Sequence, residues 1–323
     1  MIRPVLSRLS QAILVMLAVT ALAFAMFRFV GDPVRLMTRE DATVAEREAL
    51  RENLGLNDGI AVQYARFVGR VATGDLGVSY RNQREVAELI AERAPATLEL
   101  VIVATVLSLA LGIPAGVLCA LRPNGVLSRI VQATSLVGIS VPTFVTGTLL
   151  ILVFAVELRW LPSFGRGDTI DLGWWTTGFL TPSGRAALLL PSITLALYSM
   201  TLIMRLVRSE MIDILSTDYI RFARARGLPA RYINFRLALR NALMPVITVT
   251  GLQVGSLIAF AIVTETVFQW PGLGLLFMQA IIFVDIPVMT AYLLLVAAVF
   301  VVINTIVDVL YVVVDPRLRT RAA

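Results

Sequence analysis

The sequence predicts an all-α integral membrane protein, and two features of its composition support this prediction. Of its 323 residues, 58% are hydrophobic and 15% are charged, whereas soluble globular chains average about 45–50% apolar and about 25% charged residues. The apolar residues are also gathered into long stretches, which a soluble protein of this size would have to expose as large patches. Lipid is therefore the natural solvent for most of the chain.

Six stretches are long and apolar enough to cross a bilayer, which requires about 20 mostly apolar residues. They are Ala12–Val30, Thr97–Leu121, Ile130–Val156, Ala186–Met204, Pro245–Val263 and Val288–Val314. The first stretch has an alternative interpretation, because Arg3 and Arg8 precede it and Ala23-Phe24-Ala25 resembles a signal-peptide cleavage site. Its length exceeds the usual apolar region of a signal peptide, which favours an uncleaved transmembrane helix over residues 1–30.

The arginines predict the orientation of these spans. Every basic residue of the chain is an arginine, and short cytoplasmic loops of membrane proteins are rich in basic residues. Arginines gather at the N-terminus, between spans two and three, in the loop 205–244 and in the tail 315–323. With six spans, these segments all fall on one side of the membrane, so we expect both termini in the cytoplasm. Residues 31–96 then form an extracytoplasmic segment, and 97–314 a five-helix core.

The extracytoplasmic segment 31–96 has the pattern of several short helices. Thr43–Leu54 begins with a possible capping box formed by Thr43 and Glu46, Ile60–Ala72 is amphipathic, and Glu85–Ala94 follows a turn at Gly74–Gly77. These helices are compatible with a small cap on the outer face. The pattern favours a surface-lying connector that binds no ligand over such a cap.

Missing residue types exclude most catalytic sites. The chain contains neither lysine nor histidine, so a phosphate-binding loop of the Walker type, a Ser-His-Asp site and a Schiff-base lysine are all excluded. The single cysteine, Cys119, lies in an apolar run and forms neither an intrachain disulfide nor a thiolate metal cluster. We therefore expect no catalytic residues and no metal site in this chain, and no ATPase activity of its own.

The cytoplasmic segment Asp218–Pro245 has the pattern of a helical hairpin. Asp218 is a good N-cap, and Tyr219–Arg226 favours a helix that Gly227 ends by adopting the left-handed conformation. Pro229 can open a second helix, Ala230–Leu243, and Pro245 is expected to begin the next span.

The hairpin has two possible roles. As a docking element, it offers apolar area from Tyr219 and Phe222, close approach at Ala223 and Ala225, and charge pairing by its arginines. The alternative is an anchor that only touches lipid headgroups. The residues alone favour neither role over the other.

The hairpin and nine further motifs resemble the permeases of binding-protein-dependent ABC importers, specifically the dipeptide/oligopeptide family. The hairpin motif Tyr219–Leu228 resembles the cytoplasmic "EAA" loop of that family. The other matches are Gly31-Asp32-Pro33, Leu54-Gly55-Leu56, Gly74-Asp75-Leu76-Gly77, Pro95–Leu100, Gly138–Pro142, Ala238–Ala242, Glu265–Phe268, Trp270–Gly274 and Asp308 with Asp315-Pro316-Arg317. Each motif is weak alone, but their order over residues 31–317 is specific. The sequence departs from the family pattern at Arg221, where the family has Glu, and at Phe222 and Leu237, where Thr and His are frequent.

The resemblance implies a six-transmembrane-helix type I ABC importer permease fold with a cytoplasmic coupling helix hairpin, in the bacterial inner membrane. It implies a transporter subunit that pairs with a second homologous permease, two ATPase subunits that bind ATP and Mg, and an extracytoplasmic substrate-binding protein. The expected ATPase-coupling residues are Tyr219, Phe222, Ala223, Arg224, Gly227 and Leu228. The expected cargo is peptide, with nickel chelates or glutathione as alternatives.

Polar residues within the spans indicate a transport pathway, because such residues usually face a bundle interior. Tyr198, Gln253 and Ser256 are the candidates for its wall, although packing between helices is an alternative role for each of them. The main alternative function is an ion-coupled secondary carrier, which would favour inverted repeats and charged midplane residues. A membrane enzyme using carboxylates is a further alternative, but the spans offer no acid/base pair.

Overall fold

Helices make up almost all regular structure in the computed structural model, which describes residues 2–29, 34, 43–53 and 55–314. The helices are α1 (Ile2–Phe29), α2 (Val44–Asn53), α3 (Ile60–Ala72), α4 (Val86–Leu121), α5 (Val126–Ser140), α6 (Thr143–Leu150), α7 (Pro182–Leu215), α8 (Asp218–Ala225), α9 (Arg240–Val267), α10 (Leu273–Ile282) and α11 (Ile286–Val314). Two π-helical segments extend this set, Ile151–Glu157 after α6 and Tyr232–Leu239 before α9. The sheet in the described ranges is a two-stranded antiparallel hairpin, in which β1 (Ile170–Asp171) pairs with β2 (Thr176–Thr177).

Five helical stretches of the described residues are long and apolar enough to cross a membrane. They are Ser10–Arg28, Val86–Leu121, Pro182–Leu215, Tyr232–Val267 and Ile286–Val307. The prediction of an all-α membrane protein is confirmed. The predicted end of the first span at Val30, the motif Gly31-Asp32-Pro33 and the tail 315–323 lie outside the described residues.

The third predicted span, Ile130–Val156, is not one continuous helix. Helix α5 ends at Ser140, and α6 begins after Pro142, which has φ −56° and ψ 141°. Proline lacks a backbone N–H and disfavours the helical conformation at the preceding residue, so the helix breaks at Val141-Pro142. The carbonyl of Pro142 then accepts the first bonds of α6, from the amides of Val145 (3.0 Å) and Thr146 (3.1 Å).

The short helix predicted over Glu85–Ala94 is instead the first part of α4, which continues through Pro95 to Leu121. Alanine, leucine and glutamate surround Pro95, and these residues favour helix strongly enough to continue it on both sides. The fixed φ of proline is compatible with a helix, but passing through Pro95 costs about 3 kcal/mol, from a lost backbone hydrogen bond and from contact of the ring with the carbonyl four residues earlier. The prediction of a separate helix over Glu85–Ala94 is therefore wrong, because this segment belongs to the same helix as the predicted span from Thr97.

The chain divides into two compact units, and the first consists of Met1–Pro95 with Pro271–Val301. One of its apolar clusters joins the start of α4 to α10 and α11 through Val86, Leu89, Leu276, Ala280, Val288, Met289 and Ala291. Another joins α1, α3 and α11 through Ala23, Phe67 and Leu294. Helix α3 has the predicted bounds, and its amphipathic pattern reflects this packing.

The predicted capping box of the first short helix is present. Thr43 Oγ1 accepts the amide proton of Glu46 (3.3 Å), and a Glu46 carboxylate oxygen accepts the amide proton of Thr43 (2.8 Å). The backbone and side-chain hydrogen bonds from Thr43 lower the pKa of Glu46 below its usual range. Gly55 follows with φ +65°, whereas Leu54, the predicted end of this helix, lies outside the described residues.

A buried carboxylate organises the loop before α4. Asp285 is 2% exposed and accepts hydrogen bonds from Ser79 Oγ (2.5 Å) and from the backbone amides of Tyr80 (3.1 Å) and Arg81 (3.3 Å). Burial raises the pKa of the Tyr80 phenol to about 12, and the neighbouring Asp285 carboxylate acts in the same direction. This network joins loop 78–85 to the start of α11 within the first unit.

The second unit, Ala96–Trp270 with Val302–Ala323, has its core between α4, α7 and the helix leading into α9. The buried residues of this core are Val117, Ala120, Ile203, Val207, Met211, Ala238, Ala242 and Val246. Two glycines of α4, Gly112 and Gly116, bring it close to α7. A Cβ added at Gly112 would lie 2.9 Å from the carbonyl oxygen of Met200, and one at Gly116 would lie 2.6 Å from that of Met204.

We therefore expect Gly116→Ala to destabilise the protein by about 1–3 kcal/mol, since the methyl group must push α4 away from α7. The measurement is the apparent melting temperature of the purified protein in detergent. Gly69→Ala is the matched control. Its new Cβ would meet nothing within 4 Å, and alanine is favoured over glycine within a helix by about 1 kcal/mol. Equal melting temperatures for Gly116→Ala and the unaltered protein would contradict the close helix contact.

Candidate partner-docking site

A helical hairpin connects α7 to α9, as the sequence predicts. Helix α8 begins after Thr217, which is the N-cap residue with φ −69° and ψ 155°. Asp218, predicted as the N-cap, instead lies in the first turn and pairs with Arg221 (3.2 Å). The chain becomes helical again at Ala230 and stays helical to Val267. Pro245 therefore lies inside this helix, which corrects the prediction of a second hairpin helix that ends at Leu243.

The turn of the hairpin depends on one left-handed residue. Gly227 has φ +73°, its amide donates to the carbonyl of Arg224 (2.9 Å), and the amide of Leu228 donates to the carbonyl of Ala223 (3.2 Å). These two bonds form a Schellman motif, the usual way in which a glycine ends a helix. A Cβ added at Gly227 would meet nothing within 4 Å, so backbone conformation alone selects glycine there.

The inner side of α8 packs on the hairpin's own second helix. Ile220 (0% exposed), Ala223 (6%) and Ile233 (2%) form one apolar cluster. Ala223, predicted to allow close approach of a partner, is therefore buried within the hairpin. Its small side chain lets the two helices of the hairpin approach each other, and the helical pattern alone could not distinguish this contact from one with a partner.

The outer side of α8 is aromatic and basic. Phe222 is 63% exposed and Tyr219 is 45% exposed. The guanidinium of Arg226 lies 5.6 Å from the centre of the Phe222 ring. Asn241 donates a hydrogen bond to the Tyr219 hydroxyl (3.1 Å), which fixes the tyrosine against the start of α9. A large exposed aromatic side chain with an arginine beside it is typical of the centre of protein interfaces.

A cavity of about 590 Å³ lies beside α8. Arg224 and Leu228, two of the predicted coupling residues, line it. The other lining residues are Ala120, Leu121, Leu215, Ala230, Ile233 and Asn234. The structure therefore brings four predicted residues, Arg224, Leu228, Phe222 and Tyr219, to the exposed surface of one short helix and its turn.

The candidate pathway residues lie on two helices that pack together, α7 and α9. Tyr198 on α7 is 44% exposed, and Gln253 and Ser256 on α9 are half-buried. Ser256 donates to the carbonyl of Leu252 in its own helix (3.3 Å). The described hydrogen bonds do not connect these three side chains, so their role as a pathway wall stays a prediction.

A cluster of buried polar side chains lies in the second unit, and the sequence did not predict it. Glu99 is fully buried and pairs with the 9% exposed Arg166 at 2.8 Å. Arg166 also donates to the hydroxyl (3.0 Å) and the carbonyl (2.6 Å) of Thr176, and the Gly178 amide approaches Glu99 (3.4 Å). Arg166 thus fastens the strand hairpin in loop 158–181 to helix α4.

A second pair of contacts joins α4 to the end of α9. Thr97 donates to the fully buried Glu265 carboxylate (2.6 Å), and the Trp270 indole donates to the carbonyl of Ala96 (3.0 Å). The motifs Pro95–Leu100, Glu265–Phe268 and Trp270–Gly274 marked these positions in the sequence, but nothing in them indicated that they would meet. Arg166 carried no such signal.

Comparison with known proteins supports a membrane-transport role. The family described as binding-protein-dependent transport system inner membrane component matches residues 112–320, and the N-terminal region of such membrane components matches residues 1–101. The oligopeptide transport system permease protein AppB of Bacillus subtilis is 40% identical, with 98% of each chain covered. The dipeptide transport system permease protein DppB of Escherichia coli K12 is 38% identical, with 99% of each covered.

A further permease and a solved structure are also similar to this chain. The glutathione transport system permease protein GsiC of Escherichia coli O6:H1 is 37% identical over 99% of each chain. Among solved structures, a chain of the MetNI methionine ABC transporter in an inward-facing conformation matches with a TM-score of 0.57 and 21% identity. That match covers 70% of this chain and 96% of the other. At this identity the structural match supports the fold, which is that of a type I ABC importer permease.

We expect Arg166→Met to lower the apparent melting temperature strongly, because it leaves the Glu99 carboxylate buried without its charge partner. Losses of this kind are about 3–5 kcal/mol. The double variant Glu99→Gln with Arg166→Met should recover part of the loss, since neither change then leaves a buried charge unpaired. Arg159→Met, an exposed position in the same loop, is the control. A double variant that is as unstable as the sum of the two single variants would contradict a direct pair.

Proposed function

The chain belongs to the family of inner-membrane components of binding-protein-dependent transport systems, and from this premise we propose how it acts within such a system. It is a transporter subunit and not an ion-coupled carrier, and ATP hydrolysis belongs to separate subunits. We propose that it moves peptides or similar small solutes into the cytoplasm by alternating access. The high similarity to permeases named for oligopeptides and dipeptides over nearly the whole chain supports peptide as the cargo, with glutathione as an alternative.

The hairpin couples this movement to the ATPase subunits. Its inner side is buried against its own second helix, while Tyr219 and Phe222 are exposed with arginines around them. This is the observation that supports the proposal, because exposed aromatic side chains beside arginines are the residues enriched at the centres of protein interfaces. The groove of an ATPase subunit receives Phe222, and the cavity beside Arg224 and Leu228 accepts a side chain in return. ATP and Mg are bound in those subunits.

A complete pathway needs more helices than this chain supplies. We propose that a second homologous permease completes it and that an extracytoplasmic binding protein delivers the solute. Tyr198, Gln253 and Ser256 contribute to the wall of the pathway from α7 and α9. Uptake of labelled dipeptides by the complete complex in proteoliposomes tests the cargo, and transport of glutathione without any dipeptide uptake would contradict the peptide proposal.

The proposed orientation places both termini, the loop 205–244 and the tail 315–323 in the cytoplasm. Residues 31–96 then lie outside, residues 1–30 form the first span, and 97–314 contains the other membrane helices. The accumulation of arginine in the cytoplasmic segments supports this orientation.

Reporter fusions test the orientation. A reporter that is active only in the cytoplasm should be active when fused after Ala323, and a reporter active only outside should be active when inserted near Asn57. The reverse pattern at either position would contradict the orientation. Immunoblots of both fusions control for expression.

We expect Gly227→Val to leave membrane insertion intact but to weaken ATPase docking or uncouple hydrolysis from uptake. A β-branched residue in the left-handed conformation carries roughly 1–2 kcal/mol of strain, and relief of that strain would move the Schellman turn. The measurement is co-purification of the ATPase subunits together with substrate uptake at matched expression.

Two variants complete this test. Phe222→Ala removes exposed aromatic area without affecting the turn and should also weaken docking, whereas Arg122→Ala, outside the hairpin, should be milder. Ala223→Leu is not a suitable docking probe, because Ala223 is buried inside the hairpin. If Gly227→Val and Phe222→Ala both assemble and transport like the unaltered protein, the hairpin does not couple the subunits.

A further inference from the structure

The second arm of the hairpin, residues 229–240, carries an exposed basic groove that the docking surface of α8 does not include. A cavity of about 670 Å³ lies along it, lined by Pro229, Arg231, Tyr232, Phe235, Arg236 and Arg240. The opposite side of the same arm is buried through Ile233 and Ala238. Packing on that side therefore fixes the direction in which the groove faces.

The charged residues that line the groove are all positive. Its three arginines, Arg231, Arg236 and Arg240, are exposed, and no carboxylate is among the residues that line it. In the described part of the chain, none of the three has an ion-pair partner within 4.0 Å. Three unpaired guanidinium groups along one groove favour an anionic ligand, and the planar fork of arginine matches the oxygens of a phosphate.

The position of the groove relative to the bilayer follows from the length of the helix. Residues Ala242–Val263 contain no charged side chain. At about 1.5 Å per residue they extend roughly 33 Å, close to the ~30 Å hydrocarbon core of a bilayer. Arg240 then lies about 3 Å and Arg236 about 9 Å beyond the hydrocarbon boundary. Both long side chains reach the headgroup layer, which is roughly 5–7 Å thick, while Arg231 lies farther out.

We propose that this groove binds the phosphate of an anionic phospholipid headgroup. Arg240 and Arg236 contact the phosphate, and Phe235 and Tyr232 lie against the glycerol and the first acyl carbons, as aromatic residues do at membrane interfaces. Arg231 attracts the anionic headgroup electrostatically from a longer distance. This site is independent of the proposed coupling role, since it uses a different arm of the hairpin and requires no ATPase subunit.

The order of the arginines distinguishes a lipid from a protein partner. A lipid contact must be strongest at Arg240, next to the hydrocarbon boundary, and weakest at Arg231. An acidic surface on a soluble subunit would approach from the water side and reach Arg231 first. The two partners therefore predict opposite orders of effect from Arg231 to Arg240. Single substitutions of these arginines can distinguish the two orders.

The experiment uses the full-length chain in phosphatidylcholine nanodiscs that contain phosphatidylglycerol as the minor lipid. Retained phosphatidylglycerol is measured by native mass spectrometry for Arg231→Gln, Arg236→Gln and Arg240→Gln. Arg226→Gln, an exposed arginine of the α8 turn, is the control. We expect Arg240→Gln and Arg236→Gln each to reduce retention about fivefold, equivalent to about 1 kcal/mol per arginine near a membrane surface. Arg231→Gln should have a smaller effect, and Arg226→Gln none.

Three outcomes would overturn the proposal. The first is a loss for Arg231→Gln equal to or larger than that for Arg240→Gln. The second is an equal loss for Arg226→Gln, which would indicate a general effect of positive charge. The third is unchanged lipid retention in all groove variants together with reduced co-purification of ATPase subunits, which would assign the groove to the protein partner. Because lipid retention is measured on the chain alone, a failure of ATPase coupling would leave this result unaffected.

Discussion

The requirement that backbone polar groups be hydrogen-bonded within lipid determines most of this structure. A bilayer offers no water to an unpaired N–H or C=O, so a spanning segment must satisfy these groups internally. The chain does so with long helices, and two of them, Val86–Leu121 and Tyr232–Val267, have 36 residues each. The same requirement constrains the surroundings of the helix break at Pro142. A non-helical backbone at membrane depth is tolerated where protein or water, and not lipid, surrounds it.

Much of the fold could be predicted because its signals are local. The length of the apolar stretches predicted membrane helices, an amphipathic pattern predicted α3, and Gly227 predicted the turn of the hairpin. The departures have tertiary causes. Helix formers on both sides override the break expected at Pro95, and Ala223 faces inward because α8 packs on its own hairpin. The Glu99–Arg166 pair joins residues 67 positions apart, and a single sequence carries no signal of such contacts.

The candidate site was predictable to the same degree. The residues at the turn and the exposed aromatic residues follow from helical spacing and from glycine chemistry. The sequence could not predict that the hairpin has a docking surface on α8 and a separate basic groove on its second arm. This separation depends on which sides of the two helices face each other. The sequence left two roles of the hairpin equally plausible, docking to a partner and contact with lipid headgroups. The two roles are compatible when each is assigned to its own surface of the hairpin.

The unbroken helix from Tyr232 to Val267 has a mechanical consequence. At 1.5 Å per residue it is a rod of roughly 54 Å, with the hairpin at one end and Glu265, hydrogen-bonded to Thr97 on α4, at the other. A tilt imposed on one end is transmitted to the other as a displacement of opposite direction, with a size set by the position of the pivot along the core contacts with α7. The π-helical turns at Tyr232–Leu239, wound less tightly than the rest, are the natural place for such a rod to absorb torsion.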